Sequence, residues 1–356
     1  MIETYLLPQA DEISGCTARI AGASSIAALV ACAVEARRLA VALHHEDAGA
    51  APVMRVLSGL NDAIGARVLA VLALRFRLPP ARWCWLGLGS AGRQEQTFVT
   101  DQDNGLIFSA SDDGEARELR VLFLPFARAA NQALAECGFP LCDGEVMAGN
   151  PRWCLSLSEW LESFAVWVRT PEPEALLNAA IFFDFRPLAG AAELAAQLRR
   201  PLAELTRGNE IFLRMMTVNA LAASPPLGRL RDFVTAAESG GAIDLKKFGA
   251  RIFVDAARIL ALGAGSAETG TVPRLRRMAS EGVMTPADAE AAVHAFLALQ
   301  GIRLAVQSGS GVAGQAPGNQ VDPDCLNDFD RRVLLESLRQ ARKLQQTLKI
   351  RFHIET

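Results

Sequence analysis

Apolar residues recur at helical spacing along most of this chain, and one stretch between residues 83 and 108 breaks the rule. From Ser24 to about Glu46 they fall at Ile26, Leu29, Val30, Ala33, Val34 and Val41, which predicts a helix that Ser24 or Ser25 can cap. A second long helix is predicted over Val53–Phe76, apolar at Val56, Leu57, Leu60, Ile64, Val68 and Leu72, with Pro79-Pro80 to stop it. A third runs over Glu115–Cys137 on Leu119, Leu122, Phe123, Phe126, Ala130 and Leu134, and Gly138 ends it. Between the second and third, Trp83–Leu88 reads as an apolar strand, Gly89-Ser90 as a turn, and the segment through Phe108 as a second strand. Phe139–Ala148 can return as a third strand, ahead of a helix over Ser158–Val168.

Beyond Gly190 the pattern predicts helices throughout. One covers Ile211–Ala223 and ends at Pro225-Pro226; another covers Ile243–Leu262 and closes on Gly263. Thr285-Pro286-Ala287-Asp288 opens a helix as a capping box with Pro in its first turn. A Gly/Ser/Pro loop, Ser308–Asn319, precedes a last helix over about Asn327–Phe352. The fold class is α+β, a small mixed sheet with helices followed by an all-α bundle. The expected domains are an N-terminal helical extension over 1–52, a sheet-bearing domain over 53–200 and a helical domain over 201–356.

Composition narrows the class. Hydrophobic residues make up 51% and charged residues 21% of the 356, which excludes a disordered chain. A net charge of −3 gives no global pull toward nucleic acid, so no nucleic-acid partner is expected. Seven scattered cysteines contain no C-x-x-C pair and read as thiols of a reducing compartment, without a zinc site. The uncharged, largely apolar run Ile20–Val34 is too short for a membrane span of about 20 residues. A cytoplasmic protein without a membrane partner is expected.

The chemistry gathers in 83–108. Asp101 and Asp103 sit at i and i+2 of the second predicted strand, on one face and about 6.6 Å apart at roughly 3.3 Å per residue. Two such carboxylates repel unless a cation lies between them, and oxygen ligands suit Mg²⁺ or Mn²⁺. Gly89 and Ser90 supply backbone N–H groups and a hydroxyl at a helix start, a seat for phosphate. Gly87-x-Gly89-x-x-Gly92 also matches the dinucleotide fingerprint, with Asp112 about 20 residues on. The few polar residues after Gly92 are too short for a parallel crossover, however. Leu88 stands where a G-x-S-x-G nucleophile elbow needs glycine.

Gly89-Ser90-x-Gly92-Arg93-x-Glu95, followed by Thr100-Asp101-x-Asp103, resembles the signature of the DNA polymerase β nucleotidyltransferase superfamily. It is similar in particular to enzymes that uridylylate the regulator PII or adenylylate glutamine synthetase. The likeness is nearest to bacterial nucleotidyltransferases with a C-terminal helical substrate-binding domain. It runs from about residue 55 to the C-terminus and is strongest at 87–108, Met147–Trp153, Phe182–Arg186 and 243–262. It implies a polymerase-β-like sheet domain and Mg²⁺-dependent transfer of NMP from an NTP to a hydroxyl. The acceptor it implies is a protein, in signal transduction. Asp101 and Asp103 become the metal ligands, Gly89, Ser90 and Arg93 the phosphate binders. Such a site draws a third carboxylate from the third strand, where Glu145 is the topological candidate and Asp143 an alternative; Asp184 in Phe-Phe-Asp-Phe-Arg is the other contender. Arg152 and Trp153 read either as a helix-entry anchor or as lining for the nucleotide or acceptor pocket. Lys246, Lys247, Arg251 and Arg258 give the 243–262 helix a basic face. A nucleotide-sensing regulator that no longer turns over is the alternative function.

Overall fold

The structure, a computed structural model, describes residues 9–228, 233–234, 241–309 and 318–355. It divides into two compact units, Met1–Val166 with Ile181–Leu202, and Trp167–Ala180 with Ala203–Thr356.

The first unit begins with three helices, α1 (Ala10–Gly22), α2 (Ile26–His45) and α3 (Ala50–Ala73). The Ser25 side chain caps α2 by accepting from the Ala28 N–H at 3.2 Å. Sequence pattern gave no sign of α1, whose polar surface leaves only Ile13, Cys16 and Ile20 buried. A four-stranded sheet follows, in the order β3-β2-β1-β4, from β1 (Trp83–Gly87), β2 (Asn104–Phe108), β3 (Cys154–Ser156) and β4 (Arg186–Gly190). Strand β1 is antiparallel to both β2 and β4, while β2 and β3 are parallel. The antiparallel β1–β2 pair rules out a dinucleotide βαβ unit, which requires parallel strands. A five-residue helix, α4 (Gly89–Arg93), joins β1 to the β2 segment, and α5 (Asp113–Glu136) leaves it. Asp112 caps α5 by accepting from the Glu115 N–H, and Gly138, at φ +92°, takes the left-handed conformation just after it.

Both faces of β2 are buried. Phe108 stacks on Phe123 of α5 at 5.3 Å between ring centroids. On the other face Gly105 makes room for Trp160, whose indole N–H donates to the Leu106 carbonyl at 3.2 Å. Trp160 belongs to α6 (Leu157–Arg169); α7 (Pro173–Phe182) and α8 (Ala192–Thr206) come next, and all three run through the division between the units.

The second unit is a bundle of α9 (Glu210–Leu221), α10 (Arg251–Ala264), α11 (Thr271–Ser280), α12 (Pro286–Gln307) and α13 (Asp328–Arg351). Thr285 caps α12 as expected, and Asn327 caps α13. The α+β class and the helical C-terminal half are as predicted. By length and composition alone α3 and α12 could cross a membrane, as core helices often can, and 56% of the most apolar window of each is buried inside the protein.

Four expectations change. Residues 139–148 form turns and not a strand, because Pro140 and Asp143-Gly144 interrupt any ladder; the strand beside β2 is the shorter β3. The 243–262 helix splits into β5 (Ile243–Asp244), a π-helical turn over Lys246–Ala250, and α10; β5 pairs with β6 (Gln320–Val321). Gly263 lies inside α10, and the helix stops on Gly265 at φ +70°. The basic face is broken, since Arg258 is only 2% exposed and ion-pairs with Asp255 at 2.6 Å. Much of the predicted 308–319 loop, residues 310–317, lies outside the described residues, as do residues 1–8.

Candidate active site

Strand β2 begins at Asn104, so Asp101 and Asp103 stand on the segment leading into it and not within it. That segment is nevertheless extended, because the Leu88 N–H donates to the Asp103 carbonyl at 2.9 Å and prolongs the β1–β2 ladder. Its burial alternates: Asp101 is exposed and Asp103 half-buried, whereas Gln102 and Asn104 are each 4% exposed. Period-two geometry thus puts the carboxylates on one side and the amides on the other, as the spacing predicted.

The amides hold the segment down. Asn131 of α5 donates to Gln102 Oε1 at 2.8 Å and to Asn104 Oδ1 at 2.9 Å, and accepts from the Gly149 N–H at 2.8 Å. Gln102 donates to the carbonyls of Asn131 and Phe139, both at 2.9 Å. Asn104 Oδ1 also accepts from the Ala148 N–H. Backbone bonds from Gln102 to Pro140 and from Asn104 to Val146 pin both ends of the 140–146 turn. These three amides were missed in the sequence; their alternation with the aspartates was the signal available.

That turn delivers Cys142. One ligand atom each from Asp101, Asp103 and Cys142 lie within 4.8 Å of one another. Burial, chiefly, pushes the Cys142 thiol up, and the charges of Asp103 and Asp101 add to the effect. A protonated thiol is a poor ligand for a hard cation, so the donor set that fits Mg²⁺ or Mn²⁺ is the carboxylate pair, completed by substrate and water oxygens. A cavity of about 60 Å³ behind the pair, also lined by Asp62 and Gln96, has room for a few waters and not for a nucleotide.

Gly89 faces the same aspartate. It has φ +53°, and a Cβ placed on it would lie 2.7 Å from Asp103 Oδ2. Ser90 is half-buried, with its hydroxyl 3.4 Å from that of Thr100. A turn of small residues thus packs against the carboxylate pair. Residues 34–174 match the model described as "Putative nucleotidyltransferase DUF294", and residues 210–352 match "Putative nucleotidyltransferase substrate binding domain". The chain belongs to this nucleotidyltransferase family. No curated protein gives a significant match.

The remaining residues expected at the nucleotidyltransferase site have other surroundings. Arg93 is 12% exposed and donates at 2.8 Å both to Glu95 and to Asp184, which is fully buried. The expected phosphate binder is therefore committed to two carboxylates. Asp184 is its structural counterion, and its backbone leaves no room for a side chain at Gly92, where a Cβ would meet the Asp184 carbonyl at 1.7 Å. A second pair lies nearby, with Arg186 donating to both oxygens of Asp62 at 2.8 Å. Burial nonetheless raises the Asp62 pKa, outweighing Arg186.

Glu145 does not join the metal-ligand cluster, nor does Asp143; among the described residues only Cys142 does. Glu145 sits in a tight turn at φ +55° and lines a separate pocket with Met147 and Pro151. Trp153 is buried against Phe182 and Trp160, with centroids at 4.3 and 6.2 Å, so it anchors the core and has no free face for a base. Arg152 is exposed beside it, 5.0 Å from its ring.

Proposed function

We propose that this nucleotidyltransferase moves a nucleoside monophosphate from an NTP onto a hydroxyl of a protein acceptor, in the cytoplasm, with Mg²⁺ or Mn²⁺ at Asp101 and Asp103. The observation that carries the reading is the carboxylate pair converging beside Gly89, where a β-carbon would crowd the Asp103 carboxylate. In the transfer the acceptor oxygen bonds to the α-phosphorus, the bond to the β-phosphate bridging oxygen breaks, and pyrophosphate leaves. A divalent metal supplies charge neutralisation on the phosphates and a lowered pKa for the attacking hydroxyl. Asp101 and Asp103 hold and orient that metal, and the amides of Gln102, Asn104 and Asn131 fix the two carboxylates before substrate arrives. Gly89 and Ser90 give the terminal phosphates a close approach to backbone N–H groups. Solvent reaches the exposed Asp101 and takes the hydroxyl proton. Seven free cysteines support a reducing compartment.

A nucleotide sensor without turnover is the second reading, favoured by the lack of a third carboxylate in the cluster among the described residues. Two measurements separate the readings. NTP binding should strengthen severalfold with Mg²⁺, and the Asp101→Asn/Asp103→Asn variant should lose that gain while keeping its fold. Equal affinity in EDTA and Mg²⁺ removes the metal site. Incubation with each labelled NTP in lysate then yields a labelled protein band if transfer occurs, and none for a sensor.

A further inference from the structure

Met147–Trp153 is one of the stretches where the sequence resemblance is strongest, and its Trp153 is buried in the core. The same segment, with its preceding turn, closes a pocket of about 350 Å³ against α5. We propose that this pocket binds the base of the nucleotide; the inference rests on the nucleotidyl-transfer reading and adds to it the site of base recognition.

Position is the first argument. Cys142 lies at the carboxylate cluster and Glu145 in the pocket, and three residues of chain span at most about 11 Å. That is the range a ribose and its phosphate ester must bridge. Asn131 lines the pocket and also holds Gln102 and Asn104, the amides that alternate with the aspartates along the same short segment. A nucleotide with its phosphates at Asp101 and Asp103 can therefore set its base against α5.

The lining is the second. Leu141, Met147 and Pro151 offer apolar surface for a flat ring, while Arg128, Gln132 and Glu145 ring it with donors and acceptors. A volume of 350 Å³ lies at the small end of the range for small-molecule sites, roughly 300–1,000 Å³. A phosphate would meet the Glu145 carboxylate as well as Arg128, and a lone acceptor hydroxyl would leave most of these polar groups unanswered. A base edge carries both N–H and C=O groups and answers both kinds.

Rigidity is the third. The Glu145 backbone is held at φ +55° by its own N–H to Cys142, by Met147 donating to its carbonyl, and by the Asn150 amide at 3.2 Å on that same carbonyl. A residue fixed in that sparsely populated region presents its carboxylate from a defined place.

The test is equilibrium binding of ATP, GTP, CTP, UTP and inorganic tripolyphosphate, with Mg²⁺, to the full chain and to its Gln132→Ala and Glu145→Gln variants. Both side chains are exposed, and circular dichroism checks that the variants fold. The wild type should rank the four NTPs. Each variant should change the ratio between the best and worst NTP, by about tenfold for Glu145→Gln, the loss of one charge-assisted hydrogen bond. Tripolyphosphate affinity should stay the same. Unchanged ratios, or equal losses for all NTPs and tripolyphosphate, overturn the base site while leaving nucleotidyl transfer intact. A wild type that binds tripolyphosphate but gains nothing from any base likewise overturns it. Failure to bind any NTP overturns the transfer reading itself.

Discussion

A side chain at position 89 would have to share space with the Asp103 carboxylate. Gly89→Ala should therefore lower Mg²⁺-dependent NTP affinity at least tenfold, and cost about 1–2 kcal/mol of stability for a β-carbon in left-handed backbone. Binding isotherms with and without Mg²⁺, beside urea titrations, check both; unchanged affinity would detach Gly89 from the metal site. Arg93→Met should be worse for the fold, at about 3–5 kcal/mol, because it strands the buried Asp184 charge. Adding Asp184→Asn should restore part of that loss, which a phosphate-binding role for Arg93 does not predict. Asp62 gives a pH signature. Its folded pKa is raised, so between the unfolded value near 3.9 and the raised one the native state binds more protons, and stability falls as pH rises through that window. Asp62→Asn should remove that downward slope from urea midpoints measured between pH 3.5 and 6. The aspartates were legible from spacing alone. The pairs of Arg93 with Asp184 and of Arg186 with Asp62 were not, since they join residues 91 and 124 positions apart.

The long helices were readable because a stripe repeated over many turns outweighs local noise, as in α3, α5 and α13. Short elements lack that averaging. Strand β3 has three residues and β5 two, too few for any period to declare itself. In 139–148 the apolar residues suggested a strand, while Pro140 and Asp143-Gly144 carried the contrary turn signal that the structure obeys. That turn matters more than a strand would have, because it places Cys142 and Glu145 on different walls. Asn131 of α5 is what ties it down. Asn131→Ala should leave the Gly149 N–H without its acceptor and weaken the hold on Gln102 and Asn104, costing about 3 kcal/mol. Hydrogen exchange at Gly149 should speed up relative to the amides of α5. If both exchange alike, the amide cluster does not set the turn.

Across the whole molecule the seven thiols make a map of access. Burial pushes Cys16 and Cys137 to about 11, and Cys84 and Cys154 to about 12, so they stay protonated and shielded. A thiol reagent at pH 8 should label exposed Cys325 first, Cys142 more slowly, and the rest only on unfolding. Mg²⁺ with NTP should slow Cys142 and leave Cys325 alone; mass spectrometry of the labelled peptides decides, and an unprotected Cys142 would move the nucleotide elsewhere. The alternation of Asp101, Gln102, Asp103 and Asn104 has a last consequence, for how such a chain can change over generations. Loss or gain of one residue here would swap the roles of every position, turning carboxylates into the interior and amides toward solvent. Point substitutions leave the count intact, so this stretch can drift in letter while its length stays locked.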